Sequence, residues 1–316
     1  MIPNEQEVSP VVQELTPPFP RTFLERHGIS PILFAFLSLI IVFLLYQIIG
    51  GLLTILFFGL KPTPNNVIGF RFGTGLAQIL FLLVPTLLLV RFASFRPKEY
   101  LRIRSTDVKM LIIPFVGIFS LQQILQIYLV FQEKIPLPES IEKINQQFKQ
   151  LFEEAYKLLA GSHSLQELLI VIVIVALIPA VCEELLFRGL VMRSFEEGLG
   201  SGRGVMLSGV IFGAYHLNPF TFIPLAILGV YLGFIAYRAN SVWVSAAAHF
   251  YNNAFACIAL YLQWDDDAVV TGNPNDMSLP MLLATLWFFG VIFLVSTYYF
   301  IHLTKQRVTQ EEIEVE

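Results

Sequence analysis

Three charged side chains follow a long apolar run in the second half of the chain. The stretch CEELLFRG contains Glu183, Glu184 and Arg188. Glu184 and Arg188 are four residues apart with the acid first, so they share a predicted helix face and can form an ion pair. Glu183 is rotated by about 100° from Glu184 and is not committed to that pair. Beside a polar cavity its carboxylate could act as a general base; alternatively, all three lie solvated at the cytoplasmic end of a span.

Two of the five histidines also lie inside apolar segments. His216 ends FGAYH, one helical turn after Phe212, and His249 begins HFYNN, one turn before Asn253. A single histidine in a span commonly makes a hydrogen bond between helices. Two of them together with a glutamate pair favour a functional site, because ionisable groups inside a membrane are costly.

The composition predicts a membrane protein. Of 316 residues, 55% are hydrophobic and 14% are charged, and the mean hydropathy is +0.68. Runs of about 20 apolar residues, the length that crosses a bilayer, recur along the chain. We therefore predict an all-α, polytopic transmembrane helix bundle with about eight spans and an intramembrane cavity that faces the cytoplasm. The predicted spans are 32–59, 70–95, 108–131, 166–190, 204–218, 221–238, 242–263 and 279–303.

The same pattern divides the chain into four parts. Residues 1–30 form a polar N-terminal cytoplasmic tail, and residues 31–165 form accessory transmembrane helices. Within this second part, apolar residues at helical spacing predict an amphipathic interfacial helix at 140–160, which we interpret as a structural brace rather than a substrate gate. Residues 166–263 form the core that carries the charged stretches. Residues 264–316 form an outer loop, the last span and an acidic tail.

The distribution of basic residues predicts the orientation in the membrane. Outside CEELLFRG, thirteen Lys and Arg residues fall on the side of the termini and six on the other, where Asp265, Asp266 and Asp267 also lie. This bias places both termini in the cytoplasm, and we expect an integral protein of the plasma (inner) membrane. No dense basic cluster is present, so the sequence predicts the lipid bilayer and no nucleic acid as a partner. It predicts no oligomeric state.

Three stretches in order, EELLFR, FGAYH and HFYNN, resemble the EExxxR, FxxxH and HxxxN motifs of the CPBP family of intramembrane proteases. This family includes CAAX prenyl endopeptidases and bacterial proteins linked to bacteriocin processing or immunity. The resemblance covers residues 165–260 and implies that the core at 166–263 is catalytic. It also implies a membrane-associated peptide or protein substrate, either lipidated and CAAX-like or bacteriocin-like.

The resemblance implies a role for each motif position. Glu183 would activate a water molecule that His216 helps to hold, and His249 with Asn253 would stabilise the oxyanion. Peptide hydrolysis needs such a base and such donors in a site that admits little water. Glu184 and Arg188 would hold the first glutamate in place. The supporting residues implied by the motifs are Glu184, Arg188 and Phe212.

A metal ion is an open alternative within the same resemblance. Glu183, His216 and His249 could supply a zinc site with two histidines, one carboxylate and an open position. The sequence contains no HExxH motif, however, and the family also has a glutamate-dependent interpretation in which these side chains act directly on water. We therefore favour a site without a permanent metal.

Two other functions fit parts of the pattern. A non-proteolytic immunity or scaffold protein would keep the fold without using Glu183. A proton-coupled transporter would use the intramembrane Glu and His residues as a relay, although no inverted repeat supports this interpretation. The hypothesis of a glutamate-dependent or metal-dependent protease accounts for all three motifs.

Overall fold

Every regular element in the described part of the chain is a helix. The computed structural model describes residues 21–262 and 277–313, with side chains of the last helix described as far as Lys305. No strand occurs in these ranges, so the all-α prediction is confirmed. Most of the predicted N-terminal tail, the three aspartates at 265–267 and the end of the acidic tail lie outside the described residues.

The helices are α1 (Phe23–His27), α2 (Pro31–Phe58), α3 (Val67–Ala93), α4 (Pro97–Tyr100), α5 (Val108–Glu133), α6 (Glu139–Ala160), α7 (Leu165–Leu199), α8 (Ser201–Tyr215), α9 (Phe222–Ala239), α10 (Val242–Tyr261) and α11 (Leu279–Ile313). Six of them, α2, α3, α5, α7, α9 and α11, are long and apolar enough to cross a membrane. This confirms a polytopic bundle.

The remaining two predicted spans, 204–218 and 242–263, correspond to α8 and α10. With 15 residues, α8 is about 22 Å long, less than the hydrocarbon core of a bilayer. Although α10 has 20 residues, its serine, histidine and asparagine side chains lower its hydropathy. Six of the eight predicted spans therefore meet the requirements of length and hydropathy.

Widened, π-helical turns interrupt three of the spanning helices. They lie at Leu44–Gly50 in α2, Ile79–Leu83 in α3, and Ile172–Leu177 and Leu185–Val191 in α7. Two of these turns directly precede the helical segments that carry Pro85 and Pro179, because a proline lacks the backbone N–H that would continue the regular ladder. The last turn begins immediately after Glu184. Such turns often occur at functional sites, and here they shape the helix that carries the charged residues.

Glycines bring the backbones of α8 and α9 into direct contact. A Cβ atom on Gly209 would lie 2.4 Å from the backbone nitrogen of Val230, and one on Gly213 would lie 2.7 Å from that of Ala226. Small residues four apart allow this approach in membrane helices. The contact at Gly213 places the beginning of FGAYH against α9.

The amphipathic helix is present as α6, and a buried arginine holds its C-terminal end. The Arg71 guanidinium, which is 4% exposed, bonds Glu167 Oε1 at 2.7 Å. It also donates to the carbonyls of Leu158 (2.8 Å), Leu159 (2.9 Å) and Gly161 (2.5 Å). These carbonyls belong to the unsatisfied end of a helix, so Arg71 acts as its cap. A fixed end supports the interpretation of α6 as a brace.

Replacing Arg71 by Met is expected to loosen the end of α6. Three carbonyls would lose a charged donor, and each such bond contributes roughly 1.5–3 kcal/mol. Amide hydrogen exchange over residues 155–161, measured by mass spectrometry in detergent, should become at least about tenfold faster. Lys143→Met is the control, because Lys143 pairs with Glu139 on the exposed face. Equal exchange in both variants would show that Arg71 does not hold this helix.

Candidate active site

A fully buried ion pair lies at the centre of the site. Arg188 Nη1 is 2.6 Å from Glu184 Oε1, and both side chains are 0% exposed. Arg188 Nη2 also donates to the carbonyl of Gly229 at 2.9 Å, and its guanidinium carbon lies 4.5 Å from the centre of the Phe212 ring. These contacts combine a charge-assisted bond with a cation–π interaction. The pair predicted from the sequence spacing is therefore present, and it connects α7 to α8 and α9.

The same carboxylate also connects α7 to α10. His249 Nδ1 lies 3.0 Å from Glu184 Oε1, and His249 is buried. The Glu184 carboxylate thus contacts Arg188 and His249, and the predicted role of Glu184 and Arg188 in holding Glu183 stays a prediction. The contact with His249 forms because α10 packs against this segment of α7. Glu184 therefore connects the first motif directly to the histidine of the third.

Phe212 packs between the two histidines. Its ring centre is 4.7 Å from that of His216 and 5.9 Å from that of His249, in edge-on arrangements. The Phe212 carbonyl also accepts a hydrogen bond from His216 Nδ1 at 2.8 Å. Since a carbonyl can only accept, Nδ1 carries the hydrogen, and in the neutral ring Nε2 is left with a free lone pair. Phe212 thus sets both the orientation and the tautomer of His216.

His216 lies at the end of α8 and not within a span. The predicted span at 204–218 ends early, because the helix stops at Tyr215 and His216 forms its C-terminal cap. The His216 side chain is exposed. His216 is therefore more open to water or a substrate than His249, which is buried.

Glu183 and Asn253 are half-buried and have few direct partners. Gln78 Nε2 lies 3.4 Å from Glu183 Oε1, and Asn252 Nδ2 lies 3.3 Å from Asn253 Oδ1. Within the described residues, Glu183 makes no hydrogen bond to His216 or His249. The structure thus joins Glu184, Arg188, Phe212 and both histidines directly, and it leaves Glu183 and Asn253 beside them with free acceptor and donor groups.

Two polar residues near Glu183 come from helices in which the sequence analysis found no motif. Gln78 lies in α3 and bonds Glu183. Tyr46 of α2 bonds Gln78 and lies close enough to interact electrostatically with Glu183. Tyr215 of α8 is also within electrostatic range of this carboxylate. The signal available in the sequence was a single glutamine inside an otherwise apolar run, TGLAQILFLLV. A buried polar group in a span is expensive unless it is bonded.

The candidate metal ligands do not fit a metal site. No group of three His, Cys, Asp or Glu side chains that could hold a metal ion occurs among the described residues. Nδ1 of each histidine bonds the protein, which leaves Nε2 as the nitrogen that could face an ion. Together with Glu183, however, these two side chains form no group that could hold a metal ion in the described ranges. We therefore derive no chemical step through a metal.

A cavity of about 660 Å³ lies next to the loop that follows His216. Asn218, Phe220 and Thr221 form one wall, and α6 contributes Phe152 and Tyr156 to the other. Gln132 Nε2 donates to the carbonyl of Phe220 at 3.0 Å and attaches this loop to α5. The cavity is large enough for several side chains of an extended chain. The predicted cytoplasmic opening of the site stays a prediction.

The fold and the site together define an integral membrane protein with an ionisable site inside an all-helical bundle. Residues 165–255 match the family model described as Type II CAAX prenyl endopeptidase Rce1-like. This match covers less than a third of the chain and contains all three motifs. It confirms the resemblance to CPBP intramembrane proteases and supports a protease. The chain matches none of the curated proteins and none of the solved structures with which it was compared.

Proposed function

We propose that this protein is an intramembrane endopeptidase that hydrolyses a peptide bond in a membrane-associated substrate, either a lipidated, CAAX-like peptide or a bacteriocin-like one. The observation that supports this most directly is the contact between the motifs. The Glu184 carboxylate bonds Arg188 of its own motif and His249 of the third, while Phe212 of the second packs against both histidines. Three separate stretches of sequence thus meet in one place. Together they supply the carboxylates and histidines that peptide hydrolysis needs.

In the proposed reaction, Glu183 is the general base. It takes a proton from a water molecule as the water oxygen bonds to the carbonyl carbon of the scissile peptide. The Nε2 lone pair of His216 accepts the second hydrogen of that water and holds it in place. The π electrons of the carbonyl move to its oxygen, which becomes an oxyanion.

His249 and Asn253 then stabilise the oxyanion. With Nδ1–H held by Glu184, the imidazolium form of His249 presents Nε2–H as a donor, and the Asn253 amide supplies a second N–H. When the oxyanion collapses, the C–N bond breaks and the proton on Glu183 passes to the leaving amine. The protein is thereby returned to its starting state without a metal in any step.

The sidedness of the reaction follows from the proposed orientation. The protein is proposed to lie in the plasma membrane with both termini in the cytoplasm. The excess of basic residues on the side of the termini supports this orientation. The core at 166–263 is the proposed catalytic part, and the preceding helices surround it.

Glu183→Gln is expected to abolish cleavage while the protein still folds and inserts. Gln cannot accept the proton from water, and loss of a general base lowers the rate by about 10²- to 10⁴-fold. Mass spectrometry of membrane fractions would compare peptide termini in cells that express equal amounts of wild type or variant. Termini found only with the wild type would establish proteolysis and reveal the cleaved sequence.

Identical termini, with both proteins inserted, would contradict the proposal. An unchanged phenotype of the variant would then favour the immunity or scaffold function. Flux that depends on pH and yields no peptide products would favour a proton-coupled transporter.

A further inference from the structure

Gln78 is a buried polar residue in the middle of a spanning helix. It is 5% exposed, it lies on α3 outside the family match, and the π-helical turn Ile79–Leu83 follows it directly. An amide in such a place needs a hydrogen-bond partner, because its transfer from water is costly. Its partners are Glu183, with 3.4 Å between Nε2 and Oε1, and the Tyr46 side chain.

The orientation of the amide follows from the chemistry of its neighbour. A carboxylate only accepts hydrogen bonds, so the NH₂ group of Gln78 faces it, and a flipped amide would place two acceptor oxygens together. In the described part of the chain, Gln78 supplies the one side-chain donor that bonds Glu183. The distance of 3.4 Å is long, as is common before a substrate binds.

We propose that Gln78 is a positioning residue that holds the Glu183 carboxylate toward the attacking water. This inference rests on the proposed function, since it assigns Glu183 as the base. The Gln78 Oε1 atom is buried without a partner among the described residues, and so is the Tyr215 hydroxyl. These two groups could form hydrogen bonds to the water molecule that the Glu183 carboxylate must activate.

A purely structural role for Gln78 would be a bond that holds α3 against α7. The two roles differ in kinetics. A positioning residue acts on the step in which the water attacks, so its loss lowers kcat with little change in KM. A structural bond affects the amount of folded protein and leaves both constants of the folded fraction unchanged.

The test uses the full-length protein and the peptide identified by its new terminus. Gln78→Met keeps the approximate volume and removes the donor, and we expect kcat to fall about 10- to 100-fold with KM unchanged. Gln78→His restores a donor and should recover part of the loss. Thr86→Val is the matched control, because it removes a buried hydroxyl from the same helix. That hydroxyl bonds the Leu82 carbonyl one turn earlier and no residue of the site. A kcat of Gln78→Met equal to that of the control would overturn the proposal.

A second measurement tests the contact even without activity. The thermal midpoints of Gln78→Met, Glu183→Leu and the double variant form a double-mutant cycle. We expect Gln78→Met to lower the midpoint less when Glu183 is already replaced, because the bond is then absent. Additive shifts would show that the two side chains do not interact and would overturn the inference. A coupled cycle in a protein that releases no peptide would retain the contact and reject the proposed proteolysis.

Discussion

Glu184→Met is expected to destabilise the protein by about 3–5 kcal/mol, the cost of breaking a buried pair and leaving one charge without a partner. Arg188 would then be a cation at 0% exposure inside the bundle, and His249 would lose its acceptor. Denaturant unfolding of the purified protein in detergent measures the change. Glu139→Met is the matched control, because Glu139 and Lys143 have the same four-residue spacing on an exposed face. Such exposed pairs contribute less than about 1 kcal/mol.

A double variant distinguishes the cost of an unpaired buried charge from the loss of activity. With Glu184→Met and Arg188→Met together, no buried charge remains unpaired, and most of the lost stability should return. The double variant should still be inactive, since nothing holds His249. If Glu184→Met alone unfolded at the same denaturant concentration as the wild type, the buried pair would have no stabilising role.

His216→Gln is expected to lower kcat by about 10²- to 10⁴-fold, the range for an acid–base group, with little effect on stability. His216 is exposed at the end of α8, and its replacement removes a single side-chain hydrogen bond, the one to the Phe212 carbonyl. Cleavage of the identified peptide and thermal unfolding would be measured on the same sample. A large loss of stability with unchanged activity in the folded fraction would reject a role for His216 in the reaction.

The chain offers a close control for His216 in α1. His27 Nδ1 bonds the Phe23 carbonyl at 2.9 Å, and the two rings lie 4.1 Å apart, which repeats the local contacts of Phe212 with His216. His27→Gln therefore removes the same local interaction at a position outside the site. Its activity should equal that of the wild type.

This pair of histidines also shows what a short motif can and cannot decide. FLERH and FGAYH both have the FxxxH spacing, and both place the histidine against the carbonyl four residues earlier. Only the second phenylalanine packs against a buried arginine and a second histidine. Local spacing predicts the contact within the helix, whereas the neighbours depend on which helices pack together.

The sequence by itself determined the features that depend on local periodicity and composition. These are the all-helical class, six of the eight predicted spans, the amphipathic helix and the Glu184–Arg188 pair. Each of them depends on residues within a few turns of one helix, where hydrophobic spacing and side-chain direction are regular. The order of the three motifs also identified the family that matches residues 165–255.

Only the tertiary structure decided which polar groups meet. The bond from Glu184 to His249 spans 65 residues, and that from Gln78 to Glu183 spans 105. Neither follows from spacing along the chain, because each depends on how closely the helices approach and where a helix ends. The position of His216 likewise depends on the glycine contacts between α8 and α9 and on the termination of α8 at Tyr215. Packing between helices, rather than the pattern within any one of them, forms the site.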